Sequence, residues 1–250
     1  MPLTAMSGQF WLLWSVLFQI NDQQKIVLSI LNVFLFRKFV LMNMVSSAAI
    51  AMIERFEVGG EQDYVARPTW PGGASGVTIG VGYDLGYASP AQIAEDWAML
   101  PKEICHRLQS YSGKTGVAAA AVICNAHDIF VPEVAALDVF RRRDIPRAVN
   151  LTNETFLNCA AISPDSFGAL VSLVFNRGSS MRDTQPNSNR LEMRQIRDAM
   201  ARSEFDSIPT FIRNMKRLWI GKGLDGLLAR RDTEAAMFEN GLSQPKPTPP

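Results

Sequence analysis

The sequence is poor in the residues that hold metals or staple a fold. Its 250 residues include two histidines, His106 and His127, and three cysteines, Cys105, Cys124 and Cys159. With no Cys-x-x-Cys pair, a zinc ribbon is excluded. Three cysteines cannot all pair within one chain, and they are too few for a disulfide framework. No metal or cofactor is expected. Excess charge is lacking too. The chain carries 25 Lys+Arg against 24 Asp+Glu, a net charge of +1. A generic nucleic-acid binder rests on basic excess, so nucleic acid is not an expected partner. No internal repeat of fixed period occurs. Apolar residues, by contrast, are plentiful at 47%. That suffices for a packed core and excludes a disordered chain. At roughly 150 residues per domain, the length allows one large domain or two small ones.

The apolar residues are unevenly spread. Residues 1–45 hold 28 of them and four charges, Asp22, Lys25, Arg37 and Lys38. This segment is net +2, which leaves the other 205 residues at net −1. Its first uncharged run, residues 2–21, is diluted by Ser7, Gly8, Gln9, Ser15 and Gln19, and its second, Ile26 to Phe36, is short. A spanning helix needs about 20 mostly apolar residues. A signal peptide opens with positive charge, and none precedes Phe10. Three readings follow: a signal anchor or holin-like hairpin in contact with membrane, a buried helical pair, or a stretch outside the mature protein with translation starting at Met44. The last is favoured, because a compact motif begins just after it. The expected division is an apolar segment over 1–45, one catalytic domain over 46–240, and a disordered Pro-rich tail over 241–250.

Within the domain, Ser46 to Glu57 reads as a helix, with Ser46 or Ser47 as N-cap and Ile50, Ile53 and Phe56 at helical spacing. Residues 66–76 form a Pro/Gly-rich loop. Val77 to Tyr83 alternates with period two and reads as strand. Helices then follow: one from Ser89-Pro90, and others over 101–111, 114–125, 132–142, 164–177, 189–202, 209–219 and 224–239. The fold class is α+β, mostly helical, with one small β-hairpin or sheet.

The strand segment Val77-Thr78-Ile79-Gly80-Val81-Gly82-Tyr83-Asp84 has two unlike faces. Val77, Ile79, Val81 and Tyr83 share one, suited to a core. Thr78, Gly80, Gly82 and Asp84 share the other, with a hydroxyl at one end and a carboxylate at the other. Kept straight, Thr78 and Asp84 would stand roughly 20 Å apart at ~3.3 Å per residue. A turn at the glycines would bring them together. Equally, the glycines could serve the turn alone, with Asp84 capping the next element.

The helix over 46–57 ends in Glu54 and Glu57, three residues apart. The negative end of the helix dipole disfavours charge there, which suits a general acid. A glycoside hydrolase pairs such an acid with a second carboxylate. Two solvated glutamates would look the same in sequence.

Here the sequence resembles phage-type lysozymes, and more closely the muramidase domain of pesticin-like bacteriocins. The family pattern is an apolar helix ending in Phe-Glu, a Tyr seven residues later, then Thr-Ile-Gly-x-Gly. This chain has Phe56-Glu57, Tyr64 and Thr78-Ile79-Gly80-Val81-Gly82. The run Phe167 to Gly178 is similar to the central helix ending in Phe-Asn-x-Gly. Gly226-Leu227-Leu228-Ala229-Arg230-Arg231 with Glu234 is similar to the closing Gly-Leu-x-x-Arg-Arg-x-x-Glu helix. The matches run in order from about 46 to 239.

There are departures. The common phage pattern places Asp two residues after the Tyr, where this chain has Ala66. Asp63 is a weaker substitute, one residue before Tyr64. The pesticin-like branch carries Gly-x-Asp after the Thr-Ile-Gly motif, as Gly82-Tyr83-Asp84 does here. The resemblance implies Glu57, Thr78 and Asp84 as the catalytic set. Tyr64, Trp70, Tyr83 and Asn176 complete the candidate set as substrate-binding positions. Trp70 could equally pin the Pro-rich loop, and Asn176 is better explained as a helix-ending hydrogen-bonder.

What the resemblance implies is a lysozyme-like fold, its sheet beside an active-site cleft, and an N-acetylmuramidase acting on peptidoglycan, with a bacteriolytic, antimicrobial role. Glu57 would protonate the glycosidic oxygen, and Asp84 with Thr78 would orient a water in an inverting scheme. A monomer without cofactor is expected, working on the cell wall in the periplasm or outside the cell. A lytic transglycosylase using Glu57 alone, or an inactive wall-binding module, would share most of these features. Residues 187–231 hold ten Lys/Arg against five acids. That excess could face an anionic wall, but ordinary solvated helix faces account for it better.

Overall fold

The computed structural model describes residues 45–58, 65–126, 128–184 and 188–244. All of them lie in the compact unit Met44–Pro250. The expectations for residues 1–44, for Asp63 and Tyr64, and for most of the Pro-rich tail fall outside the described residues.

Helix α1 (Ser47–Val58) begins where the Ser46 Oγ accepts the Ala49 N–H at 3.0 Å. It buries Ala49, Met52 and Ile53. The sheet follows as β1 (Val65–Thr69), β2 (Thr78–Gly80) and β3 (Tyr83–Asp84), antiparallel in that order. The expected single strand over 77–83 is therefore a tight hairpin. Gly80 and Gly82 bend it with φ of 64° and 69°, in the region a side chain disfavours. Strand β1 lies in what the sequence marks as loop. Pro68 lacks a ladder donor, and an edge position tolerates that. The outer side of β1 is partly covered by the Val131 N–H, which donates to Ala66 O at 2.9 Å.

Beneath the sheet, Val77, Ile79 and Leu85 are fully buried with Ile93, Trp97 and Ile129. Around them lie the short helices α2 (Pro90–Asp96), α3 (Lys102–Gln109), α4 (Val117–Val122) and α5 (Glu133–Val139). Helix α5 does not stop at 142. It widens into a π-turn over Phe140–Asp144 and continues as α6 (Ile145–Thr155). Sequence reasoning misses α6 because Pro146 looks like a breaker. In a regular helix its ring would strike the carbonyl four residues back. In the π-turn the Ile145 N–H reaches five residues back, to Phe140 O, so Pro146 falls at the start of a new helix.

The central helix α7 (Pro164–Arg177) starts at the Ser163 N-cap and buries every residue from Ser166 to Val174. Around it lie α1, α6 and the closing helix α10 (Asp225–Leu242). Helices α8 (Leu191–Arg202) and α9 (Ile208–Asn214) complete the set. Phe140 meets Phe175 edge-on, ring centres 5.5 Å apart. Among the described residues, no helix is long and apolar enough to cross a membrane.

Candidate active site

Glu57 stands in the last turn of α1, its side chain 24% exposed. Its Oε1 accepts from Arg230 Nη1 at 2.5 Å. Arg230 comes from α10 and is 4% exposed at the side chain. Its guanidinium also lies 5.4 Å from the Phe56 ring centre, and its Nη2 donates to Ser172 O and Oγ, both at 3.2 Å. Its Nε donates to Glu234 Oε1 at 3.1 Å. The same Glu234 oxygen accepts from Ser172 Oγ at 2.6 Å and from Arg231 Nη2 at 2.9 Å. Two acids, two arginines and one serine thus form a single network joining α1, α7 and α10. Such a network is costly to break, since each buried charge is compensated only by its partners.

By sequence, Arg230 and Arg231 fall among the basic residues of 187–231 that read as solvated helix faces. That assignment is corrected for these two, which are 3% and 0% exposed. The signal for it was the four-residue step from Arg230 to Glu234, which places both on one helix face. Other basic residues of the stretch do pair with surface acids: Arg213 with Glu239, Lys216 with Asp232, Arg202 with Glu204.

Glu54 is held separately from Glu57. Arg141, from the π-turn, grips its carboxylate with two bonds of 2.5 and 2.9 Å. Glu54 therefore ties α1 to the π-turn, while Glu57 is tied to α10.

The hairpin sets Thr78 opposite Asp84 as register partners, and Ile79 opposite Tyr83. Thr78 is 8% exposed, with its hydroxyl 3.5 Å from Gly76 O. The two oxygens of Asp84 accept from the Gly86 and Gly76 N–H groups, each at 2.9 Å. Asp84 is thus the N-cap of a 3-10 turn over Leu85–Tyr87 and a clasp on the end of the Pro/Gly loop. Gly76 is obligatory there: a Cβ at that position would lie 2.2 Å from Asp84 Oδ1. Each carboxylate oxygen has two lone pairs, so each retains one for a water or a substrate hydroxyl. Among the described residues, no hydrogen bond joins Glu57 to Thr78 or Asp84.

The remaining candidates take various places. Trp70 donates its indole N–H to Ser75 O at 3.0 Å and leans on the core beneath the sheet. Tyr83 is 3% exposed. Its hydroxyl donates to Asp96 Oδ2 at 2.7 Å, Arg143 lies 4.2 Å over its ring, and Trp97 meets it edge-on. Burial, then the bond to Asp96, pushes its hydroxyl pKa far above the usual tyrosine value. Asn176 is exposed at the end of α7, and its Oδ1 accepts from Arg231 Nη2 at 3.2 Å. Tyr64 lies outside the described residues. Among those described, no group of three or more His, Cys, Asp or Glu is placed to hold a metal.

Comparison with known families gives a match. Residues 50–195, more than half of the chain, match the Pesticin family, described as a bacterial toxin homologue of phage lysozyme, C-terminal part. The chain belongs to this family. The match includes Glu57, Thr78 and Asp84 and stops short of Arg230, Arg231 and Glu234. No curated protein matches the chain.

Proposed function

We propose that this member of the Pesticin family is an N-acetylmuramidase that cleaves the bond between N-acetylmuramic acid and N-acetylglucosamine in peptidoglycan. Family membership supports the reaction class. The observation that carries the residue assignment is Arg230 on Glu57. A buried guanidinium fixes one oxygen of a part-exposed carboxyl group and so orients that group to pass on a proton.

Glu57 donates that proton to the glycosidic oxygen as its bond to the muramic acid C1 breaks. Asp84, with Thr78 beside it, accepts a proton from a water that attacks C1 from the opposite side. The product then has inverted configuration, as when two carboxyl groups flank the bond at ~6.5–9.5 Å. The backbone clasp supports this role by fixing Asp84 before substrate arrives.

One observation favours a second reading. Both Asp84 oxygens already serve the loop, so Asp84 could be structural and Glu57 could act alone, as in a lytic transglycosylase. Product analysis separates the two. Reducing ends support the muramidase, and 1,6-anhydro-muramoyl ends support the transglycosylase. If neither product forms in a zymogram or in solution, the chain is a wall-binding module without activity.

A further inference from the structure

The hairpin that carries Asp84 is short. Strand β3 has two residues, Tyr83 and Asp84, and two register pairs join it to β2. A ladder of that size is a weak hold by itself. The clasp on Asp84 comes from the Gly76 and Gly86 N–H groups. Both donors belong to the same stretch of chain as Asp84, so the clasp orients the carboxylate within that stretch. The place of the stretch in the molecule is set from the other face. Successive strand side chains point to opposite faces, so Tyr83 points away from Asp84 and into the core.

There the Tyr83 side chain is held at three points. Its hydroxyl donates to Asp96 Oδ2 at 2.7 Å, the Arg143 guanidinium lies 4.2 Å over its ring, and Trp97 meets its edge at 5.4 Å. All three partners lie outside the sheet: Asp96 ends α2, Trp97 follows it, and Arg143 belongs to the π-turn. Arg143 Nε also lies 3.5 Å from the Asp96 oxygen that accepts the tyrosine hydroxyl. The preceding residue, Arg142, donates from Nη2 to Asp96 O at 2.9 Å. The π-turn thus grips Asp96 by its carboxylate and by its carbonyl. From the same five-residue turn, Arg141 bonds Glu54, three residues before Glu57 on α1. Consecutive helical residues point about 100° apart, which lets adjacent arginines reach different neighbours. One turn of chain therefore bears both on the helix of the acid and on the hairpin of the second carboxylate.

We infer that Tyr83, locked by Asp96 and Arg143, is the positioning residue that holds Asp84 in place relative to Glu57. The inference rests on the reading in which Asp84 activates the water. At 3% exposure Tyr83 offers a sugar almost no surface, so it acts through its neighbour. Burial and the bond to Asp96 keep its hydroxyl protonated well beyond the usual tyrosine range, so the lock holds throughout the neutral range. The arginine matters for its shape as well as its charge. A planar guanidinium can stack on the ring while it pairs with the carboxylate, and an ammonium cannot do both as well.

The test is a double-mutant cycle on the full chain, read as kcat and KM on solubilised peptidoglycan. Tyr83→Phe keeps the ring and loses the bond to Asp96. It should lower kcat by about 10- to 10²-fold and leave KM unchanged, as misplacement of a catalytic group does. In the Asp84→Asn background, already slow, the same substitution should cost almost nothing further, because the two residues act as a unit. A residue that merely stabilises the core would not show that coupling. Arg143→Lys should show a smaller loss of the same kind, and it stands in should Tyr83→Phe melt as an unfolded protein. A folded Tyr83→Phe with wild-type kcat overturns the inference. So does an equal fold-loss in both backgrounds, or a raised KM at unchanged kcat. With Asp84→Asn slow, each of these leaves the muramidase reading standing. Wild-type turnover by Asp84→Asn overturns the water-activating role of Asp84, and this inference falls with it.

Discussion

Arg230 Nη1 donates to Glu57 Oε1 at 2.5 Å, linking the last turn of α1 to the buried face of α10. The two residues are 173 positions apart in sequence, so the bond exists only in the folded molecule. Arg230→Met should remove it and leave Glu234 and Ser172 short of a partner. Breaking a buried pair in this way costs about 3–5 kcal/mol. A melting curve should show a drop of roughly 6–20 °C, at ~2–4 °C per kcal/mol for a domain of this size. Arg230→Lys keeps the charge and loses the multi-point grip. It should fold, and a misplaced Glu57 should lower kcat by about 10²-fold. A Lys variant with wild-type kcat would show that Arg230 does not position the acid.

Glu54 and Glu57 differ in partner, and so should their variants. The partner of Glu54, Arg141, is 54% exposed at the side chain, so solvent screens the pair. Glu54→Gln should cost less than about 1 kcal/mol and leave peptidoglycan turnover near wild type. A large loss of activity with an unchanged melting temperature would move the acid role toward Glu54.

Gly76 has no room for a methyl group. Its Cβ would strike Asp84 Oδ1 at 2.2 Å and the Gly86 backbone at 2.6 Å. Gly76→Ala should therefore displace Asp84 and destabilise the fold by about 1–3 kcal/mol. If Asp84 handles the water, activity should fall in Gly76→Ala as it does in Asp84→Asn. If Asp84 only clasps the loop, both variants should lose stability together and keep turnover below their melting temperatures.

Much of this site is legible in the sequence because its parts are local. The Ser46 cap, the Gly80 and Gly82 turn and the facing of Thr78 and Asp84 depend on residues a few positions apart. Gly-x-Gly between alternating apolar residues is enough to suggest the hairpin. Strand β1 is less legible, because an edge strand can carry Pro68 and so read as loop. Helix α6 is hidden by Pro146, whose clash is relieved by a π-turn with no simple sequence mark. The network around Arg230 is long-range. Composition counts Arg230 and Arg231 as surface charge, and only packing against Ser172 and Glu57 shows them as interior. The burial of Tyr83 is likewise set by Asp96 and Arg143, which the strand pattern does not reveal.

Asp144, at the end of the π-turn, gives a pH dependence. Burial pushes its carboxyl pKa up to about 6 from an ordinary 3.8, with Asp96 adding to the shift and Arg143 and Arg147 opposing it. The folded state thus holds this proton more tightly than the unfolded one. The stability it contributes is present below about pH 4 and lost as pH rises from about 4 to 6. Above pH 6 the charged form is a liability. Asp144→Asn should raise the melting temperature at pH 7, by about 2–4 °C for each kcal/mol relieved, and leave it little changed at pH 4. A variant less stable than wild type at pH 7 would contradict this.

The central claim is that Glu57 is the acid of a peptidoglycan hydrolase, and the most direct measurement is turbidity loss of purified peptidoglycan by wild type and Glu57→Gln. Glutamine keeps the shape and an acceptor for Arg230 but has no proton to give. Wild type should clear the suspension, and Glu57→Gln, folded by its melting curve, should be slower by about 10²–10⁴-fold. Clearing by Glu57→Gln at the wild-type rate would contradict the account.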